Sequence, residues 1–203
     1  MGIELADNVF QTVILLLCAA IAVFHALRNG RKSLWILAFA YVSFGLGTLY
    51  YVLHLALVGH VPQVFYVAES SWLASHLFIL SLQLSHAERI HVDFAPIPAI
   101  CAVLAAACAV VFGAFGPSVF MEGCYAIVAG AGVYLSLWRI LRKSGAKNSS
   151  ICLLLVPLLQ ILLYTVSEFT KDYSRFSLYY AVDILLTADL AALLPVFYRE
   201  ERV

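Results

Sequence analysis

Five acidic side chains stand in or beside long apolar stretches of this 203-residue chain: Glu69, Glu122, Glu168, Asp183 and Asp189. No Lys or Arg lies in the interior of any of those stretches to answer them. A charge in hydrocarbon costs roughly 2.5–3.5 kcal/mol even on lenient insertion scales, so such groups must turn inward, away from lipid. Carboxyls gathered in this way could hold a proton, a cation or a small ligand with a basic group. His54 and His76 add acid–base chemistry, or ligation of a metal or haem, to the options. The chain has no HExxH pattern and the two His fall at different depths, so no metal or other cofactor is expected.

Spacing assigns these residues to faces. Glu69, Trp72, His76 and Gln83 follow i, i+3, i+7, i+14, one stripe on a helix. Gln160, Tyr164 and Glu168 form a similar stripe, and Asp183 shares a side with Tyr179, Tyr180 and Thr187. Asp189 lies six residues beyond Asp183, about 120° around the helix, so the two need not share a site. Tyr50 and Tyr51 sit one turn before His54.

The elements that must carry these stripes follow from composition. The chain is 64% hydrophobic and 12% charged, against about 45–50% and about 25% in soluble domains. A soluble fold of this length could not bury so much apolar surface. A soluble enzyme, a secreted disulfide module and a nucleic-acid binder are thereby excluded. Five Cys without a CxxC pair argue further against a disulfide framework or a thiolate metal site. The expected architecture is all-α, a polytopic membrane bundle of seven transmembrane helices forming one domain over residues 1–203. Predicted spans are about 8–27, 34–57, 62–84, 96–114, 117–139, 149–170 and 175–197, each near the 20 residues a bilayer requires. Gly, Pro, Asn or charge marks every break, as at Asn29-Gly30, Gly59 to Pro62, Arg89 to Pro96, Gly116-Pro117 and Lys171-Asp172. Glu4 and Asp7 replace the basic segment of a signal peptide, so the first apolar run is expected to stay as a helix.

Ten of the twelve Lys and Arg residues fall on one side of this arrangement, and only Lys171 and Arg175 on the other. The positive-inside rule then places the N-terminus outside and the C-terminus in the cytoplasm; the expected location is a plasma membrane, of the bacterial inner-membrane kind. Glu69 and Asp183 would lie seven or eight residues below the outer surface. Glu122, Glu168 and His54 would lie nearer to it, with Asp189 and His76 deeper. Small residues report packing: Gly123, Ala126 and Gly130 on the fifth span, and the run 105–109 on the fourth. Trp35 and Trp138 are expected as interface anchors.

The stretch from Trp35 to Arg89 carries Gly45-Leu46-Gly47, Tyr50-Tyr51, a Gly59/Pro62 turn, Glu69 and Trp72. It resembles the N-terminal seven-helix sensory regions of bacterial histidine kinases and diguanylate cyclases, which often place an acid early in the third helix. The resemblance implies an input module for an extracellular or membrane-borne signal. With tails of six or seven residues no output domain is expected, and signalling would pass through a partner protein. Ser75-His76-Leu77, with Asp183 or Asp189, is similar to a segment of the lysoplasmalogenase family of membrane hydrolases. Thr48 stands after Gly47 where that family carries Asp.

The leading expectation is a receptor-like protein in the lipid bilayer, with an outward-facing acidic cavity for a small cationic ligand or a proton. Its candidate ligand-binding residues are Glu69, His54, Glu168, Asp183, Tyr50, Tyr51, Trp72, His76, Tyr164 and Tyr180. A proton- or cation-coupled transporter using the same acids is one alternative. An intramembrane lipid hydrolase, with Asp183 or Asp189 and His76 as acid–base groups, is the other. Nucleic acid is not among the expected partners.

Overall fold

A computed structural model describes residues 2–60, 62, 66–87, 93–112, 119–142 and 147–200. The described residues form seven helices and no strand: α1 (Ile3–Asn29), α2 (Lys32–Val58), α3 (Tyr66–Ala87), α4 (Pro96–Phe112), α5 (Val119–Leu141), α6 (Lys147–Phe169) and α7 (Leu178–Glu200). Five of them, α1, α2, α5, α6 and α7, are long and apolar enough to cross a membrane. The fourth helix has 17 residues, and α3 is long but diluted by serines, His76, Gln83 and Glu69. The expected break at Gly116-Pro117 lies outside the described residues, as do Arg89, His91 and Lys143.

Gly30 and Gly59 end α1 and α2 in the left-handed region, at φ 66° and 82°, where any side chain would be strained. Two starts differ from the predicted spans in ways that matter. The first helix begins at Ile3, about one turn before residue 8, which brings Glu4 and Asp7 onto the helix. The last begins at Leu178 and not near 175, because Asp172 accepts the Ser174 N–H at 2.8 Å and holds that segment in a local turn. Glu69 accordingly lies in the first turn of α3, and Asp183 about 7.5 Å along α7 from Leu178. Both are shallower than their spacing within the predicted spans implied.

Helices α1, α2, α3, α5, α6 and α7 pack in that order into a ring, closed by α1 against α7. The ring is bridged by contacts of α2 with α7 and of α3 with α6, while α4 docks outside it on α5 and α6. Close α4–α5 approach rests on Gly130, where an added Cβ would lie 3.1 Å from the Ala102 carbonyl oxygen. Gly123, the other glycine of that stripe, faces open space.

Polarity is inverted relative to a water-soluble bundle. Gln11, Thr48, Glu69, His76, Gln83, Gln160, Asp183 and Thr187 are buried, while Phe10, Leu17, Phe24, Ile100 and Val111 are exposed. Apolar solvent around the bundle accounts for that distribution and water does not. Trp138, expected at an interface, is buried, and its indole N–H donates to the Asp93 carbonyl at 2.9 Å. It thereby ties α5 to the segment leading into α4.

Inside α6, Pro157 has no N–H for the carbonyl of Leu153 four residues earlier. Gln83 of α3 supplies the missing donor, reaching the Leu153 oxygen at 3.4 Å and the Ser136 hydroxyl at 3.2 Å. Replacing Gln83 with Leu is expected to destabilise the protein by about 1–3 kcal/mol. In a Pro157→Ala background the loss should be smaller, since alanine at that position restores the helical N–H. Reversible unfolding of the four proteins in detergent measures the difference.

Candidate functional site

A cavity of ≈ 360 Å³ occupies the end of the ring where α1, α3 and α7 begin and α2 and α6 finish. Helix α1 contributes Glu4, Asn8 and Gln11; α2 contributes Phe44 and Tyr51; α3 contributes Glu69 and Trp72. From α6 come Gln160, Leu163, Tyr164 and Ser167, and from α7 Tyr179 and Asp183. Tyr173, in the α6–α7 connection, completes the lining. Three of these residues are acids, and no Lys, Arg or His is among the described lining residues.

A directed line of hydrogen bonds crosses four helices on one side of the cavity. The Trp72 indole N–H (α3) points at the Thr48 hydroxyl (α2) across 3.4 Å. Thr48 donates to Gln11 Oε1 (α1) at 2.9 Å. The Gln11 amide nitrogen donates to Asp183 Oδ1 (α7) at 2.7 Å and to the Thr187 hydroxyl at 3.0 Å. Asp7 also meets Asp183, carboxyl to carboxyl, a hydrogen bond that exists only while one of the two carries a proton. Gly47 permits the α2–α3 end of this line: a Cβ there would sit 2.9 Å from the Trp72 indole nitrogen and 3.0 Å from the Ala68 carbonyl oxygen.

Glu4 is engaged as well, since Tyr51 donates to its Oε1 at 3.0 Å. Glu69 is not. It is 1% exposed, and neither carboxylate oxygen accepts a hydrogen bond from any described residue. Its electrostatic neighbour is another acid, Glu122 in the first turn of α5.

Aromatic rings frame the acids. Phe44 lies 6.2 Å from Trp72, centroid to centroid, and Tyr125 stands edge-on to Tyr164 at 5.7 Å. Tyr173 and Tyr179 meet edge-on at 5.2 Å. The Tyr173 hydroxyl donates to the Ser167 carbonyl at 3.2 Å. Burial, and next the charge of Glu4, push that hydroxyl above the usual tyrosine range, so it stays a neutral donor. Nearby Asp172 is exposed, and the Ser174 side chain and N–H hold its carboxyl below the usual range.

Of the residues singled out by sequence, Glu69, Asp183, Tyr51, Trp72 and Tyr164 come together in the cavity lining. The other five stand outside it. His54 and Tyr50 pack against each other at the end of α2, with His54 Nδ1 bonded to the His60 carbonyl at 2.8 Å. Glu168 is exposed because Ser167, seven residues after Gln160, takes the inward position that an i, i+4, i+8 reading assigned to Glu168. Tyr180 is fully buried and donates to the Tyr173 carbonyl, holding the connection over the cavity. His76 lies outside the lining, 6.3 Å from the Phe44 ring and 5.2 Å from that of Tyr125. A carbonyl only accepts, so the 2.8 Å contact of His76 Nδ1 with the Trp72 oxygen puts the proton on Nδ1. Asp189 is separate from this group and pairs with Cys152.

The first turns of α1 are the part that sequence reasoning missed. Glu4, Asp7, Asn8 and Gln11 follow i, i+3, i+4, i+7, the same signal that marked α3. Tyr173 gave no comparable signal, since a connection has no periodicity.

Comparison of the chain with protein families, with curated proteins and with solved structures finds no match.

The line from Trp72 to Asp183 makes a quantitative expectation. Thr48→Val and Gln11→Leu should each lower stability, and a double-mutant cycle should return a coupling of about 0.6–1.7 kcal/mol, the range of hydrogen bonds between membrane helices. Additive losses would mean that Thr48 and Gln11 act independently.

Proposed function

We propose that this protein is a receptor-like integral membrane protein that binds a small cationic ligand in the cavity between α1, α2, α3, α6 and α7. All seven helices span the bilayer in this reading, with the N-terminus outside and the C-terminus cytoplasmic, so that the cavity faces outward. One observation carries the proposal: Glu69 is a buried carboxyl in the cavity wall that receives no hydrogen bond from any described residue. Leaving such a group unanswered is costly, and an arriving cation relieves the cost. Glu4 and the Asp7–Asp183 carboxyl pair, which together hold one shared proton, add negative potential, while no described lining side chain repels a positive ligand. The aromatic faces of Phe44, Trp72, Tyr164 and Tyr179 suit a cation with an apolar body.

Occupancy would act on helix packing, because the residues around the ligand belong to five different helices. A ligand drawing Glu69 toward α6 would tighten α3 against it, and a partner protein at the membrane would read the change. The transporter alternative is favoured by one feature: polar groups continue along α3 past His76 to Gln83 and its partner Ser136. The hydrolase alternative needs an acid–His pair, and His76 Nε2 meets no partner among the described residues.

Thermal unfolding of the purified protein in detergent should rise by several degrees with small organic ammonium ions and not with neutral alcohols of the same size. Glu69→Gln should remove most of that rise, and Asp183→Asn should reduce it less, because Asp183 is already bonded to Gln11. Equal responses to cations and neutral compounds would remove the basis of the proposal. In proteoliposomes the same ions should bind without uptake; uptake would select the transporter. A fluorescent protein that matures only in the cytoplasm should fluoresce when fused after Val203.

A further inference from the structure

Three buried acceptor oxygens face no donor in the same cavity, and their number defines the ligand more closely than charge does. They are Glu69 Oε1, Glu69 Oε2 and Gln160 Oε1, none of which is bonded to any described residue. Glu69 and Gln160 are 1% and 2% exposed, and both line the cavity. The other two acids of the lining are already answered. Tyr51 answers Glu4, and Gln11 answers Asp183. What Glu69 and Gln160 lack is a set of hydrogen-bond donors, on a body able to lie against aromatic rings.

We infer that the ligand is a primary amine without a carboxylate, whose –NH3+ group donates to Glu69 and Gln160 while its apolar body packs against Phe44, Trp72 and Tyr164. The inference rests on the cationic-ligand reading above and narrows it. An ammonium group with three N–H bonds matches three acceptors one for one. A quaternary ammonium carries the same charge but no donor, so it would leave all three oxygens desolvated and unpaired. An α-amino acid has the ammonium but would carry its own carboxylate among Glu4, Glu69 and Asp183, with no Lys, Arg or His in the described lining to receive it. The volume of ≈ 360 Å³ is at the small end for ligand pockets, which fits a compact amine with one ring or a short chain.

Calorimetric titration of the full-length protein in detergent with 2-phenylethylammonium and its N-methyl, N,N-dimethyl and N,N,N-trimethyl derivatives tests the inference. Affinity should fall about tenfold for each N–H removed, because each leaves one more buried acceptor unpaired. Phenylalanine should bind at least about a hundredfold more weakly than 2-phenylethylammonium. Gln160→Leu should remove only one step of the series, and Glu69→Gln should flatten most of it. A penalty that came from methyl bulk alone would persist unchanged in both variants, and that result would overturn the inference. Equal or tighter binding of the trimethyl compound would overturn it too, while leaving a cation site in place. Failure of every member to bind the unaltered protein would overturn both the inference and the reading beneath it.

Discussion

A carboxyl group surrounded by apolar side chains and lipid must find a donor within the protein, and the bundle is organised around that requirement. Asp183 finds Gln11, Gln11 finds Thr48, and Thr48 meets Trp72, so one acid on α7 is answered through α1 and α2 as far as α3. Gln11 and Thr48 each both donate and accept, because an amide or hydroxyl that donates in one direction accepts from the other. The helices could not be rearranged without orphaning several buried groups at once. Packing of Leu15, Leu37, Leu186 and Leu190 fills the space below, but apolar contacts alone would tolerate many rotations of each helix.

The same requirement is met elsewhere by backbone as well as side chain. Pro157 releases a carbonyl inside α6, and Gln83 takes it. Tyr41 donates to the Leu190 carbonyl of α7 at 2.7 Å, in the turn before Pro195. Trp138 and Tyr134 both reach the Asp93 carbonyl ahead of α4. In each case a side chain on one helix satisfies a carbonyl on another element, which fixes the register between them.

Against that background Glu69 stands out among the described acids, because both of its oxygens lack a donor. Asp183 has Gln11 and Asp7, Glu4 has Tyr51, and Asp189 has Cys152. Glu69, more deeply buried than any of them, faces a cavity and a second acid, Glu122. Natural folds satisfy buried polar groups so consistently that the unanswered pair at a cavity wall is the feature on which the proposed ligand rests. The aromatic frame around it, from Phe44 and Trp72 to Tyr164 and Tyr179, is a surface on which an amine's apolar body can rest without competing for the donors of the relay.

The sequence by itself determined the solvent and the faces. Its apolar content requires a lipid environment, its breaks at Gly30, Gly59 and Pro96 delimit helices, and the spacing of Glu69, His76 and Gln83 turns one side of α3 inward. These properties are local: they follow from the 3.6-residue period and from the cost of polar groups in hydrocarbon, whichever helix lies opposite. The polar stripe at the start of α1 was equally legible, and was obscured only because Glu4 and Asp7 read as flanking charges. Which acid is answered and which is left open was decided by the tertiary structure alone. Gln11 and Asp183 are 172 residues apart, and Thr48 reaches Gln11 across 37. No pattern within a helix encodes such a pairing, because hydrogen bonds depend on distances of tenths of an ångström between groups that only the packed bundle brings together.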